Sequence, residues 1–173
     1  MLKGKNVIIL IEDMFNVFEF WYAYYRLKEA GAAVTVVGSG RAEMFTGKPA
    51  TEAKADLRAD DVSAEDYDGI VIPGGYAPDM MRRFPAMVDL VKQMSAGNKL
   101  VAAICHAGWM LASADVLKGK KATSFFAIKD DMVNAGAEWV DAEVVVDGNL
   151  VTSRTPDDLP AFMKAIIAFL TST

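Results

Sequence analysis

The chain has one cysteine and one histidine, and they are neighbours, Cys105 and His106. A single cysteine excludes an internal disulfide framework and fits a reducing compartment. One Cys and one His cannot close a zinc shell, and no H-x-x-x-H or C-x-x-C spacing exists, so no metal is expected. Phosphate-cradling glycine motifs are missing too: there is no G-x-x-x-x-G-K-[ST], and no G-x-G-x-x-G after a strand. No cofactor is therefore expected. Basic charge is scarce, with a net charge of -5 and a pI near 4.9. Short groups such as Lys118, Lys120, Lys121 or Arg82, Arg83 read as solvated surface. A nucleic-acid binder carries a basic patch or stripe, so no nucleic-acid partner is expected. No segment approaches the ~20 apolar residues that cross a bilayer. The apolar run at 7–11 is too short for a signal-peptide core. These absences point to a cytoplasmic protein with no membrane partner.

What is present suits a folded core. Of 173 residues, 53% are hydrophobic and 24% charged, a balance that argues against disorder. The length predicts one domain over 1–173. Residues 7–11 (VIILI) form a β-branched apolar run, as in a strand covered on both faces. After a polar break at 12–16, the pattern turns helical from 17 to 30, with Phe20, Tyr24 and Leu27 on one face. Gly31 sits where a C-cap glycine belongs, and 33–37 (AVTVV) reads as a second strand. Such a βαβ unit predicts a parallel sheet. Further strands are expected at 69–72 and 100–104, with a short edge hairpin within 51–57. Helices are expected at 85–96, from 106 to about 114, and from about 156 to 170. A hairpin turning at Asp147-Gly148 is expected between 144–146 and 150–152. The sum is an α/β sandwich around a mostly parallel sheet. Ligands bind such sheets outside the carboxyl ends of the strands. Residues 12–19, 74–79 and 105–106 all leave strands there.

Cys105 closes a strand and opens a helix with no intervening loop, the geometry of a nucleophile elbow. The helix N-terminus is expected to lower the thiol pKa and favour the thiolate. A buried core cysteine is the blander alternative. His106 can serve as general acid or base, since its ordinary pKa lies near neutrality; otherwise it is a surface histidine at a helix start. Gly74 and Gly75, after Pro73, can free backbone N–H groups for an oxyanion hole facing Cys105, or simply turn the chain. Glu19, among Phe18, Phe20 and Trp21, is either a carboxyl whose pKa apolar surroundings raise or an ordinary exposed helix glutamate. Asp79 is either an N-cap before Met80 or the acid that orients His106. Glu12, Tyr76, Trp109, Phe125 and Arg154 are candidate substrate-pocket residues. The aromatic residues Trp21, Tyr22, Tyr24 and Tyr25 crowd one helix and suggest a subunit contact.

The chain also resembles a known family. The carrying segments are Ala103-Ile104-Cys105-His106, Ile72-Pro73-Gly74-Gly75, Arg26-Leu27-Lys28-Glu29-Ala30-Gly31 and Thr123-Ser124. They continue through residues 128–136 (IKDDMVNAG), 138–141 (EWVD), 144–149 (VVVDGN) and Ser153-Arg154. These resemble the PfpI/ThiJ superfamily, in its PfpI intracellular-protease branch, over nearly the whole chain. The resemblance implies a flavodoxin-like three-layer sandwich, a PfpI-like (class I glutamine amidotransferase-like) domain, assembling as dimers or hexamers. It implies Cys105 as nucleophile, Glu19 as the buried acid beside it and His106 as its partner. Backbone N–H groups of Gly75 and His106 would form the oxyanion hole, and Asp79 would act from a neighbouring subunit. It departs from the family at Ala107, where glycine is usual, at Phe125-Phe126, where Tyr-Pro is usual, and at Asp79, where glutamate is common. The acidic loop before Glu19 is poorer in carboxylates.

The resemblance implies one of several activities: a protein deglycase or cofactor-free glyoxalase acting on glyoxal-type adducts or free dicarbonyls, or an intracellular cysteine peptidase. A hydratase of small substrates belongs to the same superfamily. From the residues themselves comes a further alternative, a redox or stress-responsive protein sensing oxidation at Cys105. The small elbow and the lack of cofactor motifs favour dicarbonyl chemistry, with a dicarbonyl or a glycated protein or peptide as partner.

Overall fold

The β-branched run after the N-terminus forms strand β1 (Asn6–Ile11), buried from Val7 onward. A computed structural model describes residues 1–173 and places this strand at the heart of the sheet. Asn16 then stops the extended chain and starts α1 (Val17–Ala30), its side chain accepting from the N–H groups of Phe18 and Glu19. Such a cap satisfies donors the helix leaves unpaired and is worth about 1 kcal/mol. Gly31, at φ 97°, ends the helix in the left-handed region that favours glycine. The chain continues as β2 (Ala33–Gly38), β3 (Met44–Thr46), β4 (Glu52–Lys54), β5 (Leu57–Arg58) and β6 (Gly69–Ile72). Next come α2 (Ala77–Met81), α3 (Pro85–Ala96), β7 (Leu100–Ile104) and α4 (Gly108–Ser113). Last are β8 (Lys121–Ala122), α5 (Lys129–Asn134), β9 (Glu138–Trp139), β10 (Val144–Asp147), β11 (Leu150–Ser153) and α6 (Leu159–Ser172).

Seven strands form one sheet in the order β10-β11-β7-β6-β1-β2-β5. Every pairing is parallel except the β10/β11 hairpin at the edge. Helices α1 and α6 pack together on one face, while α2, α3, α4 and α5 cover the other. This is the expected mostly parallel three-layer sandwich with a small antiparallel hairpin. The core fills both faces with side chains such as Ile8, Leu10, Phe20, Ile70 and Phe162, all fully or almost fully buried. Each buried side chain of this size contributes roughly 1.5–3 kcal/mol of transfer free energy.

Several local readings need correcting. The edge hairpin turns at Gly148-Asn149, because Asp147 itself pairs with Leu150. Gly148 has φ 61°, and Asn149 is held down through its side chain to the carbonyls of Ser95 and Lys99. Residues 51–57 do not form a hairpin of their own. Instead β4 pairs with β3 outside the main sheet, and β5 joins its edge. The elements β8, α5 and β9 were not expected, being too short to carry a period. The β6 and β7 ends lie side by side, with Ile72 opposite Ala103, and β1 lies beyond β6. This register brings residues 12–19, 73–76 and 105–106 to one end of the sheet.

Candidate active site

Cys105 leaves β7 at φ 62°, a left-handed conformation for a residue with a side chain. Strain of this kind costs of order 1–3 kcal/mol and persists only where the surroundings enforce it. Here a tight turn over Cys105–Ala107 follows the strand, and α4 begins at Gly108. A Cβ at Gly108 would meet Met132 Sδ at 2.4 Å, so a larger residue there would have to push the Met132 side chain aside. Ala107 is fully buried at the foot of the turn. The elbow is thus present, with the Cys105 side chain close under the surface at 8% exposure.

Two glycines let the neighbouring loop approach. A Cβ on Gly74 would lie 2.8 Å from Cys105 Cβ, Glu19 Oε2 and the Ile104 carbonyl. Gly75, at φ 75°, leaves no room either, with Asn16 N and the Met14 carbonyl 2.5 Å from an added Cβ. The loop is laced to residues 14–16: Asn16 N–H donates to the Gly74 carbonyl at 3.1 Å, and Tyr76 N–H to Met14 at 3.0 Å. The backbone N–H groups of Gly75 and His106 both face the sulfur.

Glu19 lies in the first turn of α1 and is 1% exposed, so it is not a surface glutamate. Its Oε2 accepts the Gly74 N–H at 2.6 Å. Its Oε1 has no hydrogen-bond partner, and the polar group beside the carboxyl is the Cys105 side chain. Burial pushes the Glu19 carboxyl up to about 8, against the opposing pull of the Gly74 N–H. At neutral pH Glu19 therefore holds its proton.

The thiol corrects an expectation. Burial pushes Cys105 up to about 12, the Glu19 charge adds to this, and the N–H groups of His106 and Gly75 oppose it. A low-pKa thiolate set by the helix N-terminus is not what the resting site shows. The reason is the cover over the elbow, together with a helix of only six residues that starts beyond the tight turn. His106 Nδ1 lies 3.3 Å from Cys105 Sγ. Burial lowers the His106 pKa below its ordinary 6.5, so the imidazole is neutral at neutral pH. Its ring packs between Trp109 and Phe125, 5.0 Å from each centroid, and Tyr76 meets Trp109 edge-on.

Other candidates stand apart. Asp79 is inside α2, where it pairs with Arg83; it neither caps a helix nor bonds His106 within the chain. Glu12 is fully buried, but its Oε1 takes Arg41 at 2.6 Å and the Asp13 N–H at 2.9 Å. Arg154 follows β11, next to the elbow in register, and is engaged by Asp141 and Asp158. Arg41 and Asn16 escaped sequence reasoning as site supports; the Asn at a helix start was the one available signal. No group of three or more His, Cys, Asp or Glu side chains is arranged to hold a metal ion, and no helix is long and apolar enough to cross a membrane.

A thiol on a strained elbow, with a protonated acid beneath it and N–H donors around it, thus lies at the strand ends of an α/β sandwich. Residues 5–169 match the DJ-1/PfpI family, and the chain belongs to it. A deglycase of Pyrococcus abyssi is 46% identical over 165 residues, covering 95% of this chain and 99% of the relative. A two-domain protein from Anabaena variabilis, with DJ-1/ThiJ/PfpI-like and ferritin-like domains, superposes with a TM-score of 0.95 at 46% identity. That match covers 97% of this chain and 48% of the other, so this chain spans about half of that protein. Drosophila melanogaster DJ-1beta superposes with a TM-score of 0.90 at 32% identity, covering 98% and 91% of the two chains.

The coupling of Glu19 to Cys105 predicts a pH signature. Glu19 is neutral below about 8 and charged above, and its charge raises the thiol pKa. Alkylation of Cys105 by iodoacetamide, followed by mass spectrometry, is expected to run at similar rates in wild type and Glu19→Gln at pH 6. Above pH 8 the variant is expected to pull ahead, severalfold or more. Equal rates at every pH from 6 to 10 would show that the two groups do not interact.

Proposed function

We propose that the protein is a cysteine-dependent hydrolase of dicarbonyl adducts, a deglycase that also takes free dicarbonyls, with Cys105 as nucleophile. The observation that carries this reading is the buried acid of Glu19 set against a thiol on an elbow, with His106 Nδ1 3.3 Å from the sulfur. The deglycase name of the Pyrococcus abyssi relative supports it. On a free 2-oxoaldehyde, Sγ bonds to the aldehyde carbon. The thiol proton passes through His106 to the carbonyl oxygen, which the Gly75 and His106 N–H groups hold as it becomes negative. His106, neutral again, takes the proton from the thiohemiacetal carbon and returns it to the adjacent ketone carbon, while the hydroxyl proton of the first carbon passes to the ketone oxygen. The first carbon is thereby oxidised to a thioester and the second reduced to an alcohol, with no external oxidant. Water then attacks the thioester, releasing a 2-hydroxy acid and restoring the thiol. On an amine adduct, the C–N bond breaks as the C–S bond forms, and the amine leaves with a proton. Glu19, neutral at rest, adds no negative charge where the sulfur must become anionic.

A peptidase is the second reading. It needs an acid on His106, and within one chain Asp79 is occupied by Arg83. A partner subunit would have to supply that acid. As a redox sensor, the protein would oxidise at Cys105 with no second cysteine to form a reversible internal disulfide. Lactate formation from methylglyoxal and from methylglyoxal-modified N-acetyllysine separates these readings. Wild type is expected to turn over both, and Cys105→Ser to lose about 10³-fold or more. A wild type that makes no lactate but cleaves peptides would favour the peptidase. Lactate formation that survives Cys105→Ser would remove the nucleophile.

We also propose that the protein is a homo-oligomer, with one chain covered by a second copy at α1. Phe18 and Tyr25 there are 63% and 62% exposed, and with Trp21 and Tyr22 they line an apolar cavity of about 710 Å³. Clustered exposed aromatics of this kind mark interaction surfaces. Arg26 and Glu29, paired on the same face, can be exchanged between copies related by a two-fold axis. Analytical ultracentrifugation is expected to show a dimer or hexamer for wild type and a smaller species for Phe18→Asp/Tyr25→Asp. A monomeric wild type at micromolar concentration would contradict the assignment.

A further inference from the structure

Around His106 runs an aromatic band whose other rings have no role in the chemistry above. Its rings touch in sequence, from Tyr76 to Trp109 at 6.1 Å, Trp109 to His106 at 5.0 Å, His106 to Phe125 at 5.0 Å, and Phe125 to Phe126 at 4.7 Å. The band runs across the imidazole that adjoins Cys105 Sγ. Its ends are open, with Tyr76 46% and Phe126 72% exposed. Its centre is fixed, because Trp109 Nε1 donates to Asp131 at 2.9 Å.

The cationic side chains on the elements bearing this band are turned to neighbours within the chain. Arg82 bonds Ser113, Arg83 pairs with Asp79, and Lys129 lies over the Trp139 ring. The imidazole in the middle is neutral. Asp131, which holds Trp109, puts a negative charge at the centre of the band, where it disfavours a carboxylate or phosphate on the substrate. A molecule bonded to Sγ adjoins the His106 ring, which lies between Trp109 and Phe125, and aromatic faces and edges favour other rings over polar groups.

We propose that this rim receives an uncharged aromatic or large apolar substituent next to the reacting carbonyl, with Phe126 and Trp109 as specificity-determining residues. Arylglyoxals, and dicarbonyl adducts beside aromatic side chains, are then better substrates than methylglyoxal or dicarbonyls that carry a phosphate or carboxylate. The substrate names rest on the dicarbonyl reading; the rim itself does not.

Two measurements on the full chain test this. The first is the ratio of kcat/KM for phenylglyoxal over methylglyoxal, in wild type and Phe126→Ser. The ratio is expected to fall by about three- to tenfold in the variant, the range of one aromatic contact. The second needs no turnover: the rate ratio for labelling Cys105 with N-phenylmaleimide over N-methylmaleimide, normalised to the same ratio for glutathione. It is expected to exceed one severalfold in wild type and to approach one in Phe126→Ser. Phe126 is exposed, so the variant keeps the core intact. Labelling selectivity without dicarbonyl turnover would sink the dicarbonyl reading and keep the rim. Turnover with no labelling selectivity, and a kcat/KM ratio unmoved by Phe126→Ser, would overturn the rim. A change in oligomer size on Phe126→Ser with both ratios unchanged would also overturn it, and would assign the rim to a second copy of the chain.

Discussion

The Gly74 N–H donated to Glu19 Oε2 joins the two halves of the site. It ties the first turn of α1 to the loop after β6, directly beside the Cys105 elbow. A buried carboxyl is costly unless it is hydrogen-bonded or neutral, and this one is both. The contact needs three other features. Asn16 must start α1 where it does, so that Glu19 falls in the first turn. Gly74 must lack a side chain, or it would displace Glu19 or Cys105. The parallel register of β6 and β7 must set the loop next to the elbow. Each is a local feature, and together they place one acid under one thiol.

Electrostatics then decides the resting state. Two acidic groups share a buried site, and burial disfavours charge on both. The carboxyl has the lower intrinsic pKa, yet at about 8 it stays protonated under neutral conditions, and the thiol at about 12 stays neutral with it. The two backbone N–H groups at the sulfur act in the opposite direction and favour negative charge there. At rest the acid, the thiol and His106 are therefore all neutral, while two N–H groups point at the sulfur, an arrangement that suits the carbonyl attack proposed above. The same logic sets the linkage to stability. The Glu19 pKa rises from an ordinary 4.5 to about 8 on folding. Its neutral form favours the fold fully below pH 4.5, and that contribution fades as pH rises towards 8.

Much of the fold was legible, and the reasons differ by element. Continuous apolar runs at β1, β2, β6 and β7 announce a sheet buried on both faces, and α3 spans the expected Pro85–Ala96. The elbow was legible because a buried strand runs straight into Cys105-His106. The position of Glu19 was not, because helical periodicity does not say how deep the first turn sinks; only the family resemblance placed it beside the thiol. The direction of the thiol shift was misread for the same reason, since helix position is visible in a sequence and solvent cover is not. Asp147-Gly148 was read as the hairpin turn, but the side chain of Asn149 anchors the strand pair one residue later. The segment holding β8, α5 and β9 carries no period long enough to read, and it is held by contacts distant in sequence, such as the Trp139 Nε1 donated to Ser124 Oγ.

The protonation state of Glu19 is the point on which the account turns, and infrared difference spectroscopy between wild type and Glu19→Gln reads it directly. The account predicts the carbonyl band of a protonated, hydrogen-bonded carboxylic acid at neutral pH, replaced by carboxylate bands with a midpoint near 8. Carboxylate bands already present at pH 6 would contradict it, and would put a standing negative charge beside the sulfur that the proposed chemistry has to make nucleophilic.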